Sequence, residues 1–143
     1  MPIEHRIDPT ARLVTSAHIG IVPDDEFLRS YRELFQRPGF SREFDHFVDL
    51  RQTTSAVRSV GALRQLAEFM KAQYRKGVAA LPRTAIVAPQ DISFGLSRLY
   101  EALTDALTGD VAVFREVDEA RAWLGRSVAG PAQRRTGDAR QNG

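Results

Sequence analysis

Cysteine is absent from this chain of 143 residues. That excludes a disulfide framework, a thiolate zinc site and a cysteine nucleophile. No run of eighteen apolar residues occurs, so no segment is expected to span a membrane. The opening MPIEHRIDPT lacks the apolar stretch of a secretory signal, and the expected location is cytoplasmic. Histidine is scarce, and His5, His18 and His46 have neither HxH nor HxxxH spacing. Phosphate-binding glycine loops, a dinucleotide fingerprint and a GxSxG elbow are missing, and Gly95-Leu96-Ser97 has no closing glycine. These absences leave no catalytic constellation. The chain is therefore expected not to be an enzyme and to need neither metal nor cofactor.

Lysine is rare as well, with arginine outnumbering it eighteen to two. We attribute that bias to genomic base composition rather than to phosphate reading. The pI near 9.4 has a local origin. Residues 126–143 carry Arg126, Arg134, Arg135 and Arg140 against Asp138, a net of +3, while residues 1–125 carry a net of −1. A nucleic-acid module clusters its basic residues on the folded body, so no nucleic-acid partner is expected.

What is present is a single α/β pattern with enough apolar residues for one core. Ile3, His5 and Ile7 alternate with Glu4 and Arg6. A second strand, Leu13 to Ile21, repeats the alternation. If Ile7 lies opposite Leu13, then Leu13, Thr15, Ala17, Ile19 and Ile21 share a face with Ile3. Glu4, Arg6, Ser16 and His18 then share the other, which sets His5 and His18 on opposite faces. Asp24 heads a helix carrying Phe27, Leu28, Tyr31, Leu34 and Phe35. A third strand lies within Phe44 to Leu50, followed by a polar loop to Arg58. A helix from Ser59 to Lys76 presents Leu63, Leu66, Met70 and Tyr74, with Gly77 as its stop.

The stretch from Arg83 onward reads RTAIVAPQDISFGLSRLYEAL to Leu103 and then TDAL to Leu107. It combines a strand, Thr84 to Ala88, with a helix from Asp91 that presents Ile92, Leu96, Leu99, Leu103 and Leu107. Val111 to Phe114 is the last strand. A short helix, Asp118 to Leu124, is closed by Gly125. Residues 126–143 have no periodicity and are expected to form a disordered, arginine-rich tail. The order is β-β-α-β-α-β-α-β-α, which implies a mixed five-stranded sheet with helices mainly on one face.

The motif VAP-x-D-x-x-FG within Ile86 to Ala102, supported by EARAWLG at Glu119 to Gly125, resembles the SpoIIAA-like family of the STAS superfamily. Those domains are related to anti-sigma-factor antagonists and to CRAL-TRIO lipid-binding folds. The resemblance implies a STAS-like domain over residues 1–125 that recognises a protein partner through the loop and helix around residues 51–76. It also implies a phosphorylatable serine at the start of that helix. Ser59 stands ten residues beyond Asp49, with Gly61 following it, although Val57-Arg58 replaces the acidic residue expected before it.

Three candidate sites follow. Ser59 is a modification site, since helix-start amides stabilise a phosphate. Asp49, Arg51, Arg58, Asp91 and Ser93 belong to the carboxyl ends of the strands, where open α/β sheets bind polar ligands. Tyr31, Phe69, Phe94 and Tyr100, with other aromatic residues such as Phe27, Phe35, Tyr74 and Trp123, are placed to line a pocket for a lipid or small apolar ligand. Gly95 inside a helix suggests close packing against a strand or a second copy of the chain, as in a homodimer.

Overall fold

In a computed structural model of the chain, residues 2–54, 58–78, 80–104 and 108–128 are described. Five strands form one sheet in sequence order: β1 (Ile3–Asp8), β2 (Leu13–Gly20), β3 (Asp45–Thr53), β4 (Arg83–Val87) and β5 (Asp110–Phe114). β1 and β2 are antiparallel, and every later pair is parallel. The helices are α1 (Asp24–Leu34), α2 (Val60–Tyr74), α3 (Asp91–Leu103) and α4 (Val117–Val128). Neighbouring parallel strands joined by right-handed crossovers put α1, α2 and α3 on one face. α4 returns across β4 and β5 on the other. The mixed five-stranded sheet with helices mainly on one face is thus the observed architecture.

Two hydrophobic clusters correspond to the two faces. The larger joins Val14, Phe27, Leu28, Tyr31, Leu34, Leu63 and Leu66, and the smaller joins Phe47, Ala85, Val87, Ala120 and Leu124. Strand alternation does the sorting: Phe47, Ala85 and Val87 face α4, whereas His46, Val48, Thr84 and Ile86 face the other three helices.

The hairpin register corrects the expectation from alternation. Asp8, not Ile7, lies opposite Leu13, and Ile3 lies opposite His18. The turn is one residue shorter than assumed, closed by Arg12 N–H donating to Pro9 and by Ala11 N–H donating to Asp8 Oδ1. Because side chains alternate, one residue of slip exchanges the faces. Val14, Ser16 and His18 are buried with Ile3, while Leu13, Thr15, Ala17 and Ile19 are only half-buried. His5 and His18 accordingly lie on the same face. Polar residues on the buried side and small apolar residues on the open side inverted the pattern.

Other boundaries also moved. β3 runs on to Thr53, through residues expected in a polar loop, with a bulge where Ala17 pairs with Asp49 but Ile19 pairs with Gln52. α4 passes through Gly125 to Val128, three residues into the expected tail. In α3 Leu96, Leu99 and Leu103 pack against the core as expected, but Ile92 is 62% exposed, and the fully buried residues are Ser93 and Ser97. A Cβ built on Gly95 meets nothing within 4 Å, so no strand packs closely there. Leu107 and the tail from residue 129 lie outside the described residues.

Candidate functional site

Between the sheet and helices α1–α3 lies a cavity of about 120 Å³. Its apolar wall includes Phe27, Leu63, Leu66, Met70, Ile86 and Leu96. Polar side chains interrupt that wall. His18, His46, Thr84, Ser93, Ser97 and Tyr100 all line it, and so does Arg58. Among the described lining residues there is no Asp or Glu, and Arg58 is the one that carries a formal charge.

The sequence builds this mixed wall element by element. β3 and β4 supply His46 and Thr84 through the alternation that sets half-buried Val48 and buried Ile86 on the same face. α3 contributes Ser93, Ser97 and Tyr100 at i, i+4 and i+7, one helical stripe. Ser93, Ser97 and His46 are 4%, 6% and 5% exposed. None of the three makes a side-chain hydrogen bond within the described residues. His46 instead stacks on Phe35 at 6.5 Å and tilts against Phe40.

A second polar group, by contrast, is internally satisfied. His5 Nδ1 bonds to Ser16 Oγ and its Nε2 to Ser30 Oγ, both at 2.7 Å, and His18 Nε2 bonds to Tyr31 Oη at 2.8 Å. These bonds tie α1 to the hairpin and offset the cost of burying Ser16 and His18. Burial, with the Arg58 charge beside it, pushes His18 down to about 3. Burial, aided by the Arg37 charge, pushes His5 to about 4, and burial lowers His46 to about 4. All three rings are neutral at pH 7. Burial also raises the Tyr31, Tyr74 and Tyr100 hydroxyls above their ordinary value. Among the described residues no group of three or more His, Asp or Glu side chains is placed to hold a metal ion.

Arg58 is held from several sides. Its Nη1 donates to the Val22 carbonyl at 2.7 Å and to Asp24 Oδ1 at 3.0 Å, and its guanidinium lies 4.3 Å from the centre of the Phe27 ring. Burial alone would raise Asp24, but hydrogen bonds from Ser59 and Arg58 outweigh it and hold the carboxyl below its usual range. Ser59 is the N-cap of α2: its Oγ accepts from Ala62 N–H at 3.0 Å, and its own N–H donates to Asp24. Ser59 itself is exposed.

The expected polar edge is divided by the fold. Arg58 and Ser93 line the cavity. Asp49 and Arg51 do not, because Asp49 shares the strand parity of Phe47 and faces the α4 side. Asp49 accepts from Arg51 Nε at 3.0 Å and Nη2 at 2.9 Å, and this pairing keeps its carboxyl below the usual range. Asp91 is the first residue of α3 and pairs with Arg115 at 2.8 Å in solvent. The two carboxylates therefore do not converge. Of the expected aromatic lining, Tyr31 and Tyr100 border the cavity but Phe69 and Phe94 do not. Phe69 packs edge-on against Phe35, and Phe94 lies under Arg115. Phe27 and Tyr74 border it, Phe35 does not, and Trp123 packs with Phe114 on the other face.

Sequence reasoning missed His18, His46 and Ser97 as cavity residues. The recoverable signal was the Ser93–Ser97–Tyr100 spacing, since two serines on one helix stripe invite a polar wall. His18 needed the correct hairpin register.

The chain is similar to a solved structure, an uncharacterized protein from the DUF3478 family with a SpoIIAA-like fold from Shewanella loihica PV-4. The two share 15% identity, the match covers 85% of this chain and 91% of that one, and the TM-score is 0.51. The fold is SpoIIAA-like. At this identity the likeness establishes architecture and nothing of function. No family model and no curated protein matches the chain. No helix among its described residues is long and apolar enough to cross a membrane.

Proposed function

We propose that this SpoIIAA-like domain is a non-catalytic binding module whose working site is the cavity between the sheet and α1–α3, and that it takes a small amphipathic ligand. One observation carries the reading: a cavity of about 120 Å³ whose buried wall includes Ser93, Ser97 and His46, none with a side-chain hydrogen bond in the described residues. A single water needs about 10–15 Å³, and an apolar cavity of about 150 Å³ accepts benzene. The space therefore suits a molecule of roughly benzene size with polar atoms. A ligand of matching polarity can pair with these side chains, each such bond contributing about 0.5–1.5 kcal/mol net.

Paired native and denaturing mass spectrometry on protein isolated from its own cells tests this. Wild-type chain should carry a mass that disappears on denaturation, and Ser97→Leu, which fills the cavity, should carry none while remaining folded. An adduct retained by Ser97→Leu would place the ligand elsewhere.

A second reading is a protein partner received by the loop and helix over residues 51–76. Its support is the exposed Ser59 beside Val60, which is 45% exposed. Ile21 and Ile92, also exposed, follow β2 and β4 at the same end of the sheet. In this reading Ser59 is a switch, and Ser59→Asp should abolish a pulled-down interaction that Ser59→Ala retains.

A further inference from the structure

Resting on the reading of the cavity as a ligand site, we propose that the ligand is a small carboxylic acid, bound as its carboxylate by Arg58. Arg58 lines the cavity, and its side chain is 10% exposed. Both of its hydrogen bonds to Val22 and Asp24 leave from Nη1. Nε and Nη2, the side-on pair, have no partner among the described residues. That planar pair matches the two oxygens of a carboxylate. The Phe27 ring and the Nη1 bonds hold the group in place before a ligand arrives, which reduces the ordering cost of binding.

Charge selects the same class. Among the described residues that line the cavity there is one cation and no carboxylate, and the two histidines are neutral, so this wall favours an anion over a cation. Asp24, 41% exposed at its side chain, already offsets part of the Arg58 charge. A monoanion therefore fits better than a dianion such as a phosphate ester. Leu63, Leu66, Met70 and Leu96 take the apolar body, and Ser93 and Ser97 supply hydroxyls along it.

The test compares benzoate with its neutral analogue benzyl alcohol at about pH 7, by calorimetry and ligand-observed NMR on the full chain. Wild type should bind benzoate at least about tenfold more tightly, the range expected of charge-assisted hydrogen bonds. Arg58→Gln should lose that preference and still take up benzyl alcohol, which also shows that the variant is folded. Equal binding of the two probes by wild type overturns the carboxylate anchor and leaves the cavity reading intact. So does a benzoate preference that survives in Arg58→Gln. Binding of neither probe overturns the anchor too. Failure of the cavity reading itself is seen separately, as an adduct that Ser97→Leu does not remove. If Arg58→Gln does not fold, the two probes on wild type still decide.

Discussion

Single residues at the start of α2 combine two jobs. Ser59 closes the first turn by accepting from Ala62, and its neighbour Arg58 reaches back to Val22 and Asp24, joining α2 to α1. Ser59→Ala removes one cap bond and should cost about 1 kcal/mol, read as a lower urea midpoint with an unchanged slope. Ser59→Asp can also cap a helix, so it should recover much of that loss. Asp24 then sets the limit, since its carboxylate already accepts from the Ser59 amide and repels added negative charge. An aspartate that is less stable than alanine would show that this repulsion outweighs the cap. The role of Ser59 as a helix start was legible from residue type and the following stripe. Its link to Asp24 was not, because the two residues are 35 apart and meet only through packing.

At the scale of elements, two glycines with opposite surroundings make a contrast. Gly109, just before β5, has a φ of +91°, and a Cβ there would lie 2.0 Å from the Pro82 carbonyl oxygen, at the start of the β4–β5 pair. Gly109→Ala combines left-handed strain with a backbone clash and should destabilise by more than about 2 kcal/mol. Gly95, inside α3, meets open space. Gly95→Ala should therefore stabilise the chain by up to about 1 kcal/mol through helix propensity. Thermal unfolding of the two variants beside wild type checks both signs. A loss of stability at Gly95→Ala would reveal a contact at that helix face. Element order and type were readable because their periodicities are local. Ends were less so: α4 crosses Gly125, since a helical glycine is a cost and not a stop.

For the whole molecule, three neutral histidines, His18 and His46 buried and His5 half-buried, couple stability to pH. Unfolded imidazoles titrate near 6.5, whereas burial holds His5 and His46 at about 4 and His18 at about 3. As pH falls the unfolded chain takes up protons first, so stability is complete above about pH 7 and declines from 6.5 toward 4. The slope should be on the order of 1 kcal/mol per pH unit for each of His18 and His46, and smaller for half-buried His5. Urea denaturation at about pH 7.5, 6 and 5 measures it. A midpoint that does not move across that range would mean that these rings do not stay neutral on folding.

By itself, the sequence determined the α/β class, the order of nine elements, the apolar stripes of α1 and α2 and the cap at Ser59. Each of these depends on neighbours a few residues apart. Only the tertiary structure decided which face of β2 is buried, because one residue in the hairpin register exchanges the faces. It also decided that Asp49 and Asp91 take separate arginines, and that Arg58, Ser93, Ser97 and His46 border one cavity. Those groups come from the segment that leads into α2, from α3 and from β3, and what brings them together is the stacking of three crossovers on one side of the sheet.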